Sequence, residues 1–342
     1  MLWFRRILFA LAFIVALFLT IWVAGALFFD SPFPALRAPA AVLYTIVVLA
    51  SLLFLRRHHL GLVVAFAGFA LVVSWWFTLQ PSNHRDWQPD NAETAYADID
   101  GEHITIHNFR NCSYITEKDY TCQWETRSFD LSNLTGADLF ITWWGPTLIA
   151  HPIVSFDFGS QGYVPMSIET RDVVGQGYSA IRGFYRQYEL AYIVSDERDV
   201  VRLRTNFRKD EEVYIFRTTL PPQLTRKVFL DYLKRVNELH RQPEWYNAVT
   251  NNCTTNIDVS ASQAQGRSTV WDWRVLLNGK MDEMLYEHGR LVTGGLSLPA
   301  LKAQAHINAA GIAADDSPQW SQLIRVGRVG FTAPPAVTAP AQ

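Results

Sequence analysis

The segment Leu148-Ile149-Ala150-His151-Pro152-Ile153-Val154-Ser155-Phe156-Asp157-Phe158 is a short apolar run, and Gly159-Ser160-Gln161-Gly162 ends it with a turn signal. Tyr163 to Thr170 follows at once and reads as its hairpin partner. A run this short and rich in β-branched and aromatic residues is a strand buried in a sheet. Earlier segments agree with that reading. His103-Ile104-Thr105-Ile106-His107 and Cys122-Gln123-Trp124-Glu125-Thr126 alternate in character, and Leu139 to Thr142 is another apolar run ended by Gly145-Pro146. Val213 to Thr218 reads as a later strand.

The period changes after Pro221-Pro222, a suitable helix start. Leu224, Val228, Tyr232, Val236 and Leu239 recur at helical spacing, and the helix must end before Pro243. A second helix is expected to open near Asn252, and a third over Val275 to Met284. Strands followed by grouped helices predict an α+β domain rather than a doubly wound sheet. The Pro- and Ala-rich end, 332–342, is expected to be a disordered tail.

The first part of the chain has a different solvent in view. Ile7 to Phe29, Ala38 to Leu55 and Leu60 to Leu79 carry no charged residue. A bilayer core about 30 Å thick is crossed by roughly 20 helical residues. Residues 1–80 are therefore expected to form three transmembrane helices. A cleaved signal peptide is the rival for the first stretch, with Arg5 and Arg6 before it and Ala24-Gly25-Ala26 near its end. Signal cores run to only about 7–15 residues, and two more apolar stretches follow here, so the anchor reading is preferred. Arg5, Arg6, Arg56 and Arg57 place the N-terminus and the second turn on the cytoplasmic side, while the loop between the first and second helices is read as carrying only Arg37. Residues 81–331 then form one domain outside the cytoplasm, entered through an expected polar linker from Pro81 to Pro89. The net charge of −2 and the absence of a basic stripe exclude nucleic acid as the expected partner.

Only three cysteines occur, Cys112, Cys122 and Cys253, all in the exported part. Cys112 and Cys122 flank a short polar segment between two strand-like runs, which suits a disulfide across a hairpin in an oxidising compartment. Cys253 is the odd one, framed by Thr250-Asn251-Asn252 and Thr254-Thr255-Asn256. Asn252 is a good N-cap, which puts Cys253 in the first turn of a helix, and that position and a nearby histidine both favour the reactive thiolate. The bland alternative is a small buried apolar side chain, which needs no such polar frame.

A nucleophilic cysteine needs a base. The candidates are His84, His103, His107, His151, His240, His288 and His306. His151 is preferred because it enters a core strand beside a hairpin partner and is rigidly placed, although a lone core histidine is more often merely satisfied. Glu169 lies on the partner strand and could orient it; an ion pair with Arg171 is the competing reading. The charges from Glu189 to Arg204, including Asp196-Glu197-Arg198-Asp199, alternate in sign and read as structural salt bridges. HExxH, P-loop, CxxC and GxSxG motifs are absent, and neither a cofactor nor a metal is expected.

Several blocks in one order resemble the bacterial DUF4105 family, the Lnb N-terminal periplasmic domain. They are Asn83-His84-Arg85-Asp86-Trp87, Ile106 to Asn111, Trp143-Trp144-Gly145-Pro146, Ala150-His151 to Phe158, Ser167-Ile168-Glu169, Asp196-Glu197-Arg198-Asp199 and Asn252-Cys253-Thr254-Thr255. The resemblance implies a circularly permuted papain-like fold of NlpC/P60 type, in which histidine precedes cysteine. It further implies acyl transfer through a thioester on Cys253, with His151 as base and acid. It also implies an inner-membrane protein with a periplasmic domain. The family's lipoprotein acyltransferase carries its membrane helices after the catalytic domain; here they come first. Cys112 and Cys122 also depart from the family's pattern, which favours a disulfide particular to this chain. The expected substrates are a membrane lipid, a lipoprotein or a peptidoglycan stem peptide, so a wall peptidase or amidase is a rival, as is a non-enzymatic envelope-assembly module.

Overall fold

The computed structural model describes residues 2–54, 58–145, 147–257, 272–275 and 277–331. Arg56 and Arg57, on which part of the expected orientation rests, lie outside these residues, as do Pro146 and the tail expected at 332–342. The chain divides into two compact units.

The first unit comprises Met1–Ser82 with Gly177–Glu189 and Glu244–Ala248. Its frame is three helices, α1 (Leu2–Phe29), α2 (Pro34–Phe54) and α3 (His58–Trp76), all long and apolar enough to cross a membrane. Arg37 belongs to α2 rather than to the loop before it, and its Nε donates to the Ser31 carbonyl at 2.9 Å. Lipid supplies no hydrophobic drive between helices, so close approach matters most. Ala16, Val48, Leu52 and Ala65 form one buried seam. At Gly61 a Cβ would lie 2.5 Å from the Ser51 carbonyl oxygen, so only glycine fits that crossing. Trp76 at the end of α3 donates to Asp30 beyond α1 at 2.8 Å.

The second unit comprises Asn83–Gln176, Leu190–Pro243 and Val249–Gln342. It holds two antiparallel sheets. The smaller runs β1 (Tyr96–Asp100), β2 (His103–Tyr114), β3 (Tyr120–Asp130) in that order. Cys112 and Cys122 oppose each other on β2 and β3 and are joined as a disulfide. The larger sheet uses β4 (Gly136–Trp144), β5 (Ala150–Asp157), β6 (Tyr163–Arg171), β7 (Glu189–Val194) and β8 (Glu211–Arg217), ordered β7-β6-β5-β4-β8. The expected hairpin is β5–β6.

The larger sheet is covered on both faces, which explains why β5 reads as continuously apolar rather than alternating. On one face Phe156 and Phe158 meet Phe229 of α4 (Pro222–Arg241), with ring centres 4.9 and 5.1 Å apart. Val228, Phe229, Tyr232, Leu233, Val236 and Leu239 are the buried stripe of that helix. On the other, Phe140, Ile153, Val213 and Ile215 pack with Val200, Ile307, Trp320 and Ile324. The architecture is α+β, preceded by three apolar helices.

Two expectations change. The helix expected over Val275 to Met284 begins only at Met281, as α5 (Met281–Glu287), and is preceded by single turns at Trp273–Val275 and Asn278–Lys280. Tertiary hydrogen bonds win there: Asn278 faces Ala150, and the Gly279 carbonyl accepts from Trp143 Nε1 at 3.0 Å. The segment after Gln80, read as a polar linker, is pinned from Asn83 onward. Asn83 Nδ2 donates to the Leu239 and His240 carbonyls, and Trp87 lies 4.1 Å beneath the Arg171 guanidinium.

The charged blocks are braces. Asp199, fully buried, accepts from Arg110 Nε at 2.8 Å and Nη2 at 2.9 Å, from the Cys112 N–H and from the Tyr114 hydroxyl. Glu197, also buried, is held by Arg325 and by the Ser155 hydroxyl. They tie the two sheets and the C-terminal helices together.

Candidate active site

The β5–β6 register pairs Ile153 with Ser167. Two residues further along each strand, the same register sets Glu169 against His151, since residues two apart share a face. The side chains meet: His151 Nε2 lies 3.0 Å from Glu169 Oε1 and 2.7 Å from Ser167 Oγ. The Ser167 hydroxyl is also 2.6 Å from Glu169 Oε1. The competing pairing of Glu169 with Arg171 is not formed; Arg171 donates to the carbonyls of Asn91 and Ala92 and to Asn83 Oδ1.

Behind the carboxylate stands Arg204. Its Nη2 donates to Glu169 Oε1 at 3.1 Å while Nη1 donates to Glu211 Oε2 at 2.9 Å. Arg208 Nη1 closes the chain on Glu211 Oε1 at 3.0 Å. His151 and Arg204 are buried. Burial alone would weaken the imidazole as a base, but the Glu169 carboxylate and the Cys253 side chain outweigh burial and Arg204, and the His151 pKa is raised to about 9. Burial would likewise raise Glu169, yet His151, Arg204 and the Ser167 hydroxyl hold it well below the usual carboxylate range.

Cys253 opens a helical turn at 253–257. The turn starts there because Asn252 caps it: Asn252 Oδ1 accepts from the Thr254 N–H at 2.9 Å and the Thr255 N–H at 3.0 Å, and Thr255 Oγ1 accepts from the Asn252 N–H. Cys253 is the free thiol, partly exposed, while Asn252 and Thr254 on either side are buried. A surface groove beside the turn is lined by Asp231, Lys234, Arg235, Thr250, Asn251 and Asn256.

Asn278 fixes the turn against β5. Its Nδ2 donates to the Ala150 carbonyl at 2.6 Å and to Thr254 Oγ1 at 2.7 Å, and its Oδ1 accepts from the Ala150 N–H at 2.8 Å. Ala150 precedes His151 and Thr254 follows Cys253, so one side chain sets the spacing of the two. Both amide hydrogens are thereby committed, although Nδ2 stands 3.9 Å from Cys253 Sγ. Gly279 permits the approach: a Cβ there would lie 2.1 Å from the Thr147 carbonyl oxygen.

The structure thus brings Cys253, His151 and Glu169 together. Four of the other histidines have partners of their own. His103 meets Asp130, His107 meets Asp98, His240 meets Thr94 and His306 meets Glu212. Among the described residues no cluster of His, Cys, Asp and Glu suited to a metal ion occurs. Sequence reasoning missed Ser167, Arg204 and Asn278. Ser167 was findable, because alternation puts it on the face of Glu169. Nothing local marks Arg204 or Asn278.

No curated protein and no solved structure matches the chain. Residues 120–279 match the model of the family described as the Lnb N-terminal periplasmic domain, which supports placing in that family the stretch that carries His151, Glu169, Cys253 and Asn278.

Proposed function

We propose that this protein is a membrane-anchored, periplasmic cysteine acyltransferase or hydrolase acting on a lipid or lipid-linked substrate. The observation that carries the reading is a buried histidine paired with a partly exposed glutamate beside a capped cysteine. With Nε2 turned to Glu169, the other imidazole nitrogen is left to take the Cys253 proton. The thiolate attacks the carbonyl carbon of an ester, thioester or amide. His151 then protonates the leaving group, and water or an amine, deprotonated in turn by His151, releases the acyl group from the thioester.

Oxyanion stabilisation is narrowed by the cap. The Thr254 and Thr255 N–H groups are already spent on Asn252, so the N–H of Cys253 itself is the donor left at the start of the turn. The order in the chain, histidine strand before cysteine helix, fits a permuted papain-like arrangement. Three apolar helices in the same chain and a periplasmic-domain family favour a multi-pass inner-membrane location. Leu148, Ile149, Trp273 and Leu277 are exposed on segments joined to the site by the Asn278–Ala150 and Gly279–Leu148 hydrogen bonds, and such an apolar rim favours an acyl chain over a wall peptide.

Intact-mass analysis of the chain purified from its native membrane tests this. The expected result is an acyl adduct lost in Cys253→Ala. Absence of any adduct, together with an unchanged phenotype in Cys253→Ala cells, would overturn the reading. Cleavage of wall peptides without lipid acyl transfer would replace it with the peptidase.

A further inference from the structure

Arg204 has no obvious place in a cysteine–histidine mechanism, yet it is buried and aimed at the site. It is the centre of a charge chain that runs from the partly exposed Arg208 through Glu211, Arg204 and Glu169 to the buried His151. A guanidinium presents a planar fork, and here the fork is split between two carboxylates. Glu169 is therefore shared. Its Oε1 takes the Arg204 donor at 3.1 Å and stands 3.0 Å from His151, with the Ser167 hydroxyl 2.6 Å away.

We propose that Arg204 is a positioning residue that governs the base strength of the site through Glu169, drawing off part of the carboxylate's charge that His151 would otherwise receive whole. The inference rests on the reading of Cys253 and His151 as nucleophile and base. Its chemical sense lies in the two jobs of the histidine. The imidazole must accept the thiol proton and later give it to the leaving group, and a proton pinned by an undivided carboxylate is given up slowly. The charged groups facing the imidazole are Glu169 from β6, Arg204 from the segment before β8, and the Cys253 side chain; Glu211 and Arg208 stand behind Arg204. Ser167 holds Glu169 independently, so removing Arg204 leaves the carboxylate on His151 and strips away only the competing cation.

The test is the pH profile of Cys253 alkylation by iodoacetamide in the detergent-solubilised full chain, which needs no knowledge of the substrate. Arg204→Met is expected to move the upper limb of the profile up by about one pH unit or more, the usual effect of one nearby charge. Arg204→Lys is expected to restore it to within about half a unit, because the charge is retained. Glu211 loses a partner in Arg204→Met; if that variant does not fold, Arg204→Met/Glu211→Gln removes both charges and is read in the same way. An unmoved or lowered upper limb in a folded variant overturns the proposal. His151→Gln separates the two readings. If it leaves the wild-type profile intact, the histidine–cysteine reading itself fails. If it abolishes the upper limb while the folded Arg204 variant leaves that limb in place, only the role of Arg204 fails.

Discussion

Glu169→Gln removes the one carboxylate that opposes the burial of His151. In the wild type the imidazole is raised to about 9: burial and Arg204 lower it, and Glu169 and Cys253 raise it by more. With a neutral amide at 169, burial and Arg204 prevail, and His151 should titrate below the ordinary value of about 6.5. The change is at least two and a half pH units, or on the order of 3 kcal/mol between the two protonation states. The sign for stability follows. A histidine raised in the folded state stabilises the fold fully below about pH 6.5, and that contribution is lost as pH rises through about 9. The wild-type melting temperature should therefore fall between pH 6.5 and 9, and this component should vanish in Glu169→Gln. Alkylation gives the second readout. Cys112 and Cys122 are paired, so Cys253 is the single reporter. The upper limb near pH 9 should disappear in the variant. A Glu169→Gln protein that keeps both the limb and the melting trend near pH 9 would refute the electrostatic account of the site.

Other perturbations test the frame. Asn278→Ala leaves the Ala150 N–H and carbonyl and the Thr254 hydroxyl without this partner; it should cost roughly 2–4 kcal/mol by denaturant unfolding and slow Cys253 alkylation at neutral pH. Unchanged alkylation would show that the turn holds its register without the clamp. Asp199→Ala strands the buried Arg110 guanidinium and should destabilise by about 3–5 kcal/mol, whereas a loss below about 1 kcal/mol would mean that the brace is dispensable. Reducing the Cys112–Cys122 bond, or replacing both residues with serine, should cost about 2–4 kcal/mol in unfolding experiments while leaving the alkylation profile near wild type.

Local pattern alone determined much of this protein. Charge-free runs of bilayer length announce the three helices, because a lipid-facing helix must be apolar along its whole length. The β5–β6 hairpin follows from one apolar run, a glycine turn and a second run, and period two then places Glu169 opposite His151 once the register is known. The Asn252 cap marks Cys253 as the start of a turn, since capping is chemistry between near neighbours in the chain. What tertiary structure decided is of another kind. Arg204 reaches Glu169 from 35 residues away, and Asn278 reaches Ala150 from 128 away. Neither position carries a periodic or capping signal, because each answers to a polar group brought close only when the sheet and its flanking segments pack. The same cause explains the expected helix over Val275 to Met284. A continuous helix is expected there from the sequence, but the backbone of Ala150 and the indole of Trp143 needed partners, and Asn278 and Gly279 were bent into turns to supply them.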